Sequence, residues 1–411
     1  MKKYQLLVFV FVLLSPGLSL WAKDFGLILD QNGSYSGMGF SNHSNNVAEY
    51  KASLIPRFQA LIGNRGDLYI SAGIIVEYVD EEWNYLPELL RTEFSWLFDK
   101  AALRAGRMHY SDPLGFIAEG LFDGARVSLD TGVGTFSAGA WYTGFLYKRR
   151  SEIAMNAYEL VNYHDKVDYN DFANTYFAPR RFLSALDWEH PSLGGGLLRG
   201  RLSLLGQIDL NDEVEEINSY YFSGKLSLPV NAFLFDLGGS LGLIQATGFD
   251  TKLAFAAEAS AGWMLATSFP SRLSLLCRYS SGVSSNDNYV AFVPVTTQPH
   301  GYILEANISG LTMISLDYIA RLHRTFSLSL SSSYFIRNDL GTYNASSLFG
   351  GRDADKGYFL GNEFFSWIFW SPASDLSINF GCGIFLPSLG NVATSADNLW
   401  KVALNLTLSL F

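Results

Sequence analysis

Beyond the first 22 residues, apolar side chains recur at every second position, the period of a strand rather than a helix. Tyr50, Ala52, Leu54, Phe58, Ala60 and Ile62 share one parity, and Glu49, Lys51, Ser53, Arg57 and Gln59 share the other. Asn64-Arg65-Gly66-Asp67 then turns the chain, and Leu68, Ile70, Ala72, Ile74, Val76 and Tyr78 carry the apolar face back. One hairpin is legible directly. Phe182, Leu186 and Trp188 alternate in the same way with Arg181, Asp187 and Glu189, as do Phe326, Leu328 and Leu330 with Ser327, Ser329 and Ser331.

The pattern predicts strands at 25–36, 47–62, 68–79, 89–98, 101–110, 122–130, 134–147, 181–190, 197–209, 219–229, 233–246, 253–266, 272–283, 311–322, 326–337, 358–370, 376–386 and 399–411. That makes eighteen, with sixteen as the alternative count. Short connections such as 64–67, 99–100 and 131–133 alternate with mostly longer ones, and 148–180, 284–310 and 338–357 are the longest. Tight turns on one side and long loops on the other are the signature of an all-β, transmembrane antiparallel barrel of the bacterial outer membrane. Trp96, Phe98, Trp188 and Trp370 precede predicted turns, where amphipathic rings suit a membrane interface. The terminal Phe411 resembles the C-terminal signal read by the outer-membrane assembly machinery, although its parity is that of Ser409 rather than of Leu408 and Leu410.

Residues 1–22 read as a secretory signal peptide, with Lys2 and Lys3 ahead of an apolar run from Leu6 to Leu14 and a break at Ser15-Pro16-Gly17. Residues 23–411 are then the barrel. Composition agrees: 48% hydrophobic with 17% charged residues is apolar for a chain in water, yet no later run approaches the ~18 to 20 apolar residues of a membrane helix. The net charge of −10 argues against a nucleic-acid partner. Cys277 and Cys382 fall on separate outward faces and are expected to be free thiols.

Two stretches carry a family resemblance. Gly106-Arg107, followed by Phe122-Asp123-Gly124-Ala125-Arg126, resembles the Gly-Arg and Phe-Asp-Gly-Val-Arg pair of alginate-export-type porins. Leu360-Gly361-Asn362-Glu363, with Trp370-Ser371-Pro372 and Asp375-Leu376-Ser377, resembles the strand-turn-strand near their C-terminus. The resemblance implies an eighteen-stranded barrel that passes small or anionic solutes. It does not carry alginate over, because the predicted lumen mixes signs. Arg57, Arg91, Arg104, Arg126, Arg199, Arg201 and Lys51 face Glu49, Glu93, Glu258, Asp317 and Glu363. Arg91, Arg104 and Arg126 on three consecutive strands either form a basic ladder that orients solutes or enter ion pairs that stiffen the wall.

Catalytic chemistry is sparse. The six histidines show no metal-ligand spacing and no cofactor motif is present. His109 and Ser111 share a strand face, the one arrangement that suggests a nucleophile and its base. The 148–180 connection is longer and more aromatic than a link requires, and is expected to fold inward and narrow the barrel. The expected function is passive diffusion of small hydrophilic solutes, anions included. A barrel that displays ligand-binding loops and a barrel esterase are the alternatives.

Overall fold

The computed structural model describes residues 22–39, 46–79, 81–156, 159–160, 163, 166–211, 216–247, 250–284, 289–341 and 357–410. Except for Ala22 the predicted leader lies outside these residues, as does Phe411. All eighteen predicted strands form. They are β1 (Ala22–Met38), β2 (Val47–Ile62), β3 (Gly66–Val79), β4 (Glu82–Leu97), β5 (Ala101–Ser111), β6 (Glu119–Thr131), β7 (Gly134–Tyr142), β8 (Arg181–Leu193) and β9 (Leu198–Asp209). The second half adds β10 (Ile217–Val230), β11 (Phe233–Ala246), β12 (Lys252–Leu265), β13 (Ser271–Ser280), β14 (Leu311–His323), β15 (Phe326–Arg337), β16 (Phe359–Ala373), β17 (Leu376–Leu386) and β18 (Leu399–Leu410). Each pairs antiparallel with its sequence neighbour, and β1 closes the ring on β18 from Leu27–Leu410 to Met38–Leu399. The result is a closed, all-antiparallel barrel.

The barrel is inside out relative to a protein in water. Leu186, Leu204 and Leu241 are more than half exposed on the outer face, while Ser203, Ser223 and Ser240 on the opposite parity are buried. Outward apolar and inward polar positions therefore follow from one alternation. Cys277 and Cys382 are free.

The strand ends depart from expectation where the chain leaves the wall. β7 stops at Tyr142 instead of 147, because Thr143 onward turns inward; the Thr143 hydroxyl donates to the Pro179 carbonyl (2.6 Å) and accepts the Arg181 N–H (2.9 Å). β13 stops at Ser280, whose hydroxyl binds the Ile308 carbonyl as the chain enters the lumen. β4 begins seven residues early, at Glu82, and runs through Pro87.

That proline marks a seam. β4 pairs with β3 along its length but with β5 only from Thr92 to Leu97. Above Thr92 the β4 carbonyls that face β5 receive side-chain donors instead: Tyr85 takes the Tyr169 hydroxyl, Pro87 the Tyr176 hydroxyl and Leu89 the Arg107 guanidinium. The missing Pro87 N–H lies on this unpaired side, where a proline costs no ladder bond. Gly106 (φ 110°) sits where pairing resumes, and any Cβ there would collide with the Thr92 carbonyl oxygen.

Candidate functional site

Three connections fold into the lumen. In the β5–β6 connection (112–118) the Asp112 carboxylate accepts the N–H groups of Leu114 (2.8 Å), Ile117 (2.9 Å) and Ala118 (3.0 Å). This curls the short apolar run Leu114-Gly115-Phe116-Ile117-Ala118 inward, where its large side chains are almost fully buried. Burial pushes the Asp112 carboxyl upward, against the pull of the three N–H groups. The Ile117 carbonyl accepts the N–H of Val295 (2.7 Å) and of Thr296 (3.1 Å) from the β13–β14 connection (281–310). Val295 in turn accepts the Ala154 N–H (2.9 Å), and Glu152 the Thr297 N–H (2.7 Å). Loops from three places in the sequence thus meet in one knot. Leu114, Phe116, Ile117, Leu146, Ile153, Phe292 and Val295 form its core against Trp141, Leu183, Leu205 and Tyr221 of the wall.

Among the described residues the β7–β8 connection (143–180) includes the short helices α1 (Lys148–Ser151) and α2 (Phe172–Tyr176). Tyr147 donates to Glu77 (3.0 Å), Arg149 lies 3.6 Å from Glu77, and Arg150 lies 3.4 Å from Glu88. Its base is fixed by Arg181, fully buried between Glu159 and Asp209 at 2.7 Å each. Asp209 is therefore a wall residue, the last of β9. The β13–β14 connection is fixed by Glu363, whose carboxylate accepts the N–H groups of Tyr302 (2.7 Å), Ile303 (3.0 Å) and Leu304 (3.0 Å).

The knot occupies one side of the barrel. On the other side an open cavity of about 860 Å³ lies along β16–β18 and β1–β3; Lys51, Glu77, Arg149, Tyr302, Glu305, Trp367 and Lys401 are among its lining residues. Arg149 and Lys401 have acidic partners in Glu77 and Glu305. Lys51 makes no ion pair or hydrogen bond among the described residues.

The residues singled out from sequence divide accordingly. Arg91 and Arg104 share Glu93 (2.6 and 2.5 Å), and Arg126 binds Asp187 (3.0 Å). The three arginines are thus ion-paired. Glu258 binds Lys225 (2.7 Å) and Arg278 (2.8 Å), and Arg201 donates to the Ser111 carbonyl (3.3 Å). Glu49 accepts from Ser34 (3.2 Å) on the cavity wall, and Asp317 accepts from Ser315 (3.0 Å). Arg57 lies beside Gly26 of β1, and Arg199 is exposed next to the 194–197 turn. Ser111 donates to the Asp112 carbonyl (3.3 Å) and His109 lies 3.9 Å from Glu119, so no nucleophile–base contact joins His109 to Ser111. Among the described residues no group of three or more His, Cys, Asp or Glu side chains is placed to hold a metal. Sequence reading missed Arg149, Tyr302 and Glu305, which sit on loops without periodicity; the Lys148-Arg149-Arg150 triplet was the available signal.

A closed eighteen-stranded barrel with a polar lumen narrowed by infolded loops has the fold of an outer-membrane porin. Solved structures carry the same layout. Pseudomonas aeruginosa OccK11 (OpdR) matches over 95% of this chain and 97% of its own at 13% identity, with a TM-score of 0.58. OccK9 (OpdG) of the same organism matches over 94% and 98% at 10% identity, TM-score 0.59. OccK2 (OpdF), solved in complex with glucuronate, matches over 95% and 99% at 12% identity, TM-score 0.61. These likenesses carry the porin fold and not specifically the alginate-export one. No family profile matches the chain. No curated protein sequence matches it either.

Proposed function

We propose that this protein is an outer-membrane channel for passive diffusion of small hydrophilic solutes, anions included. The observation that carries the reading is the open cavity beside the knot, with Lys51, a cation that makes no ion pair or hydrogen bond among the described residues, on its wall. Eighteen strands enclose more space than their own side chains fill, and here three loops take up part of it. The 143–180 connection is the constricting element. A cation without a partner in a narrow, partly desolvated lumen draws in counter-ions and raises their local concentration. Arg91, Arg104 and Arg126, each held by a carboxylate, serve mainly to stiffen the wall. That the OccK2 structure holds glucuronate makes a sugar acid a natural first solute to try.

Conductance of the purified protein in planar bilayers tests this. The wild type should conduct KCl, with a reversal potential under a salt gradient that favours chloride. Lys51→Gln should move that potential toward cation preference, and an unmoved potential would remove Lys51 from the selectivity argument. Deleting Ile153–Ala173 should raise single-channel conductance at least about twofold, since a pore's conductance follows its narrowest section. Unchanged conductance would sink the constriction role of the loop.

A further inference from the structure

The lumen face of β16 carries an acid and then three aromatics: Glu363, Phe365, Trp367 and Phe369. Glu363 holds the backbone of Tyr302, Ile303 and Leu304, and this brings the Tyr302 ring to 4.7 Å from Phe365 and 6.1 Å from Trp367, centroid to centroid. Trp367 lies 6.1 Å from Phe369 with the two planes within 25°. Four rings therefore run along the β16 wall from the 302–304 segment toward the short-turn end. Phe365 is buried beneath the others, whereas Tyr302 and Phe369 are 44% and 37% exposed and Trp367 is half-buried.

The neighbouring strands make room for these rings. Gly383 and Gly381 of β17 stand opposite Phe365 and Trp367, and Ala403 of β18 stands opposite Gly381. A Cβ on Gly381 would come within 2.9 Å of both Phe365 and Trp367, so the room these rings take is left by a position without a side chain. The wall continues through Ser34 to Glu49, and Asn32, Asn405 and Lys51 line the same cavity. Tyr302 and Trp367 thus line one open cavity together with these hydrogen-bonding groups.

An inorganic anion gains nothing from this arrangement, because the negative face of an aromatic ring repels it. The complementary solute has a flat face of C–H bonds and a rim of hydroxyls, which is the form of a pyranose sugar. We propose that Tyr302, Trp367 and Phe369 form a stacking track for pyranose rings, with the rim hydroxyls met by Ser34, Asn32, Asn405 and Glu49. The inference rests on the channel reading above and specifies what the channel passes.

The test is the block of KCl current by two neutral probes of similar size, methyl α-glucoside with its closed ring and sorbitol with its open chain. Neutral probes in concentrated KCl remove the Lys51 field from the comparison. In the wild type the half-blocking concentration of methyl α-glucoside should be lower than that of sorbitol by about threefold to tenfold, the range of one or two aromatic stacking contacts. Trp367→Leu should bring this ratio close to one, and Trp367→Phe should restore most of it. A wild-type ratio near one, or a ratio that Trp367→Leu leaves intact, overturns the track while the channel stands. A barrel that carries no KCl current overturns the channel reading and the track with it.

Discussion

Arg107 and Asp123 show how one residue pair can serve several elements. The pair is bidentate, at 2.9 and 2.7 Å, and joins β5 to β6, while the same guanidinium donates to the Leu89 carbonyl of β4 and to the Phe145 carbonyl (2.9 Å) of the 143–180 connection. Removing one partner of a buried pair leaves the other charge uncompensated. Asp123→Asn should therefore cost about 3 kcal/mol, read from urea unfolding in detergent micelles; a cost below about 1 kcal/mol, the range of an exposed pair, would contradict this role. Both residues belong to the sequence motif that carries the family resemblance. The motif was legible, but its work at a seam was not, because nothing in the local pattern says that β4 and β5 part company there. Arg91, Arg104 and Arg126 teach a related lesson. Their inward direction follows from strand parity, whereas pairing with Glu93 and Asp187 depends on cross-strand register.

At the scale of elements, the strands were readable because a membrane barrel enforces alternation along every wall segment. The inner loops were not, since a chain that packs against the inside of a barrel follows no fixed period. The five-residue apolar run at 114–118 is a signal of infolding that the longer and more aromatic 143–180 stretch overshadowed. The β13–β14 connection also carries a pH-dependent contact. His300 sits 3.3 Å from Arg278, which Glu258 binds from the far side, and close to the Phe116 ring. Burial first, and then the Arg278 charge, lower its pKa from 6.5 to about 4. With the loop undocked the imidazole regains its ordinary value, so between these two values the undocked state binds more protons. Docking is thus fully favoured above about pH 6.5 and weakens as pH falls through the window toward 4. Lowering the pH from 7 to 4 should raise current fluctuations in single-channel records, and His300→Gln should flatten that dependence. Equal pH responses in the two proteins would exclude His300 as the source.

In the molecule as a whole, ladders of backbone hydrogen bonds bind each strand to the next along most of its length, and the upper half of the β4–β5 junction, from Glu82 to Arg91, lacks one. Backbone amides there lack the ladder that protects their neighbours. The Tyr85 and Leu89 amides, which face the seam, should exchange hydrogen faster than those of Leu86 and Glu88, which face β3; equal protection would mean that the junction is closed by other means. The sequence-derived strand count and polarity describe this wall well, yet the seam is invisible to them because its substitute donors, Tyr169 and Tyr176, lie more than eighty residues further along the chain.

That separation bears on how the ring is completed. β4 and β5 can meet along their lower halves as soon as both have emerged, but the upper half can close only after the 143–180 segment has been threaded inward and its tyrosines have reached β4. The final act of assembly at this junction is then side-chain docking and not strand pairing. Once the barrel is in the bilayer, lateral tension that backbone ladders resist elsewhere falls here on two phenols and one guanidinium, so a change in membrane thickness or tension should strain the β4–β5 junction first.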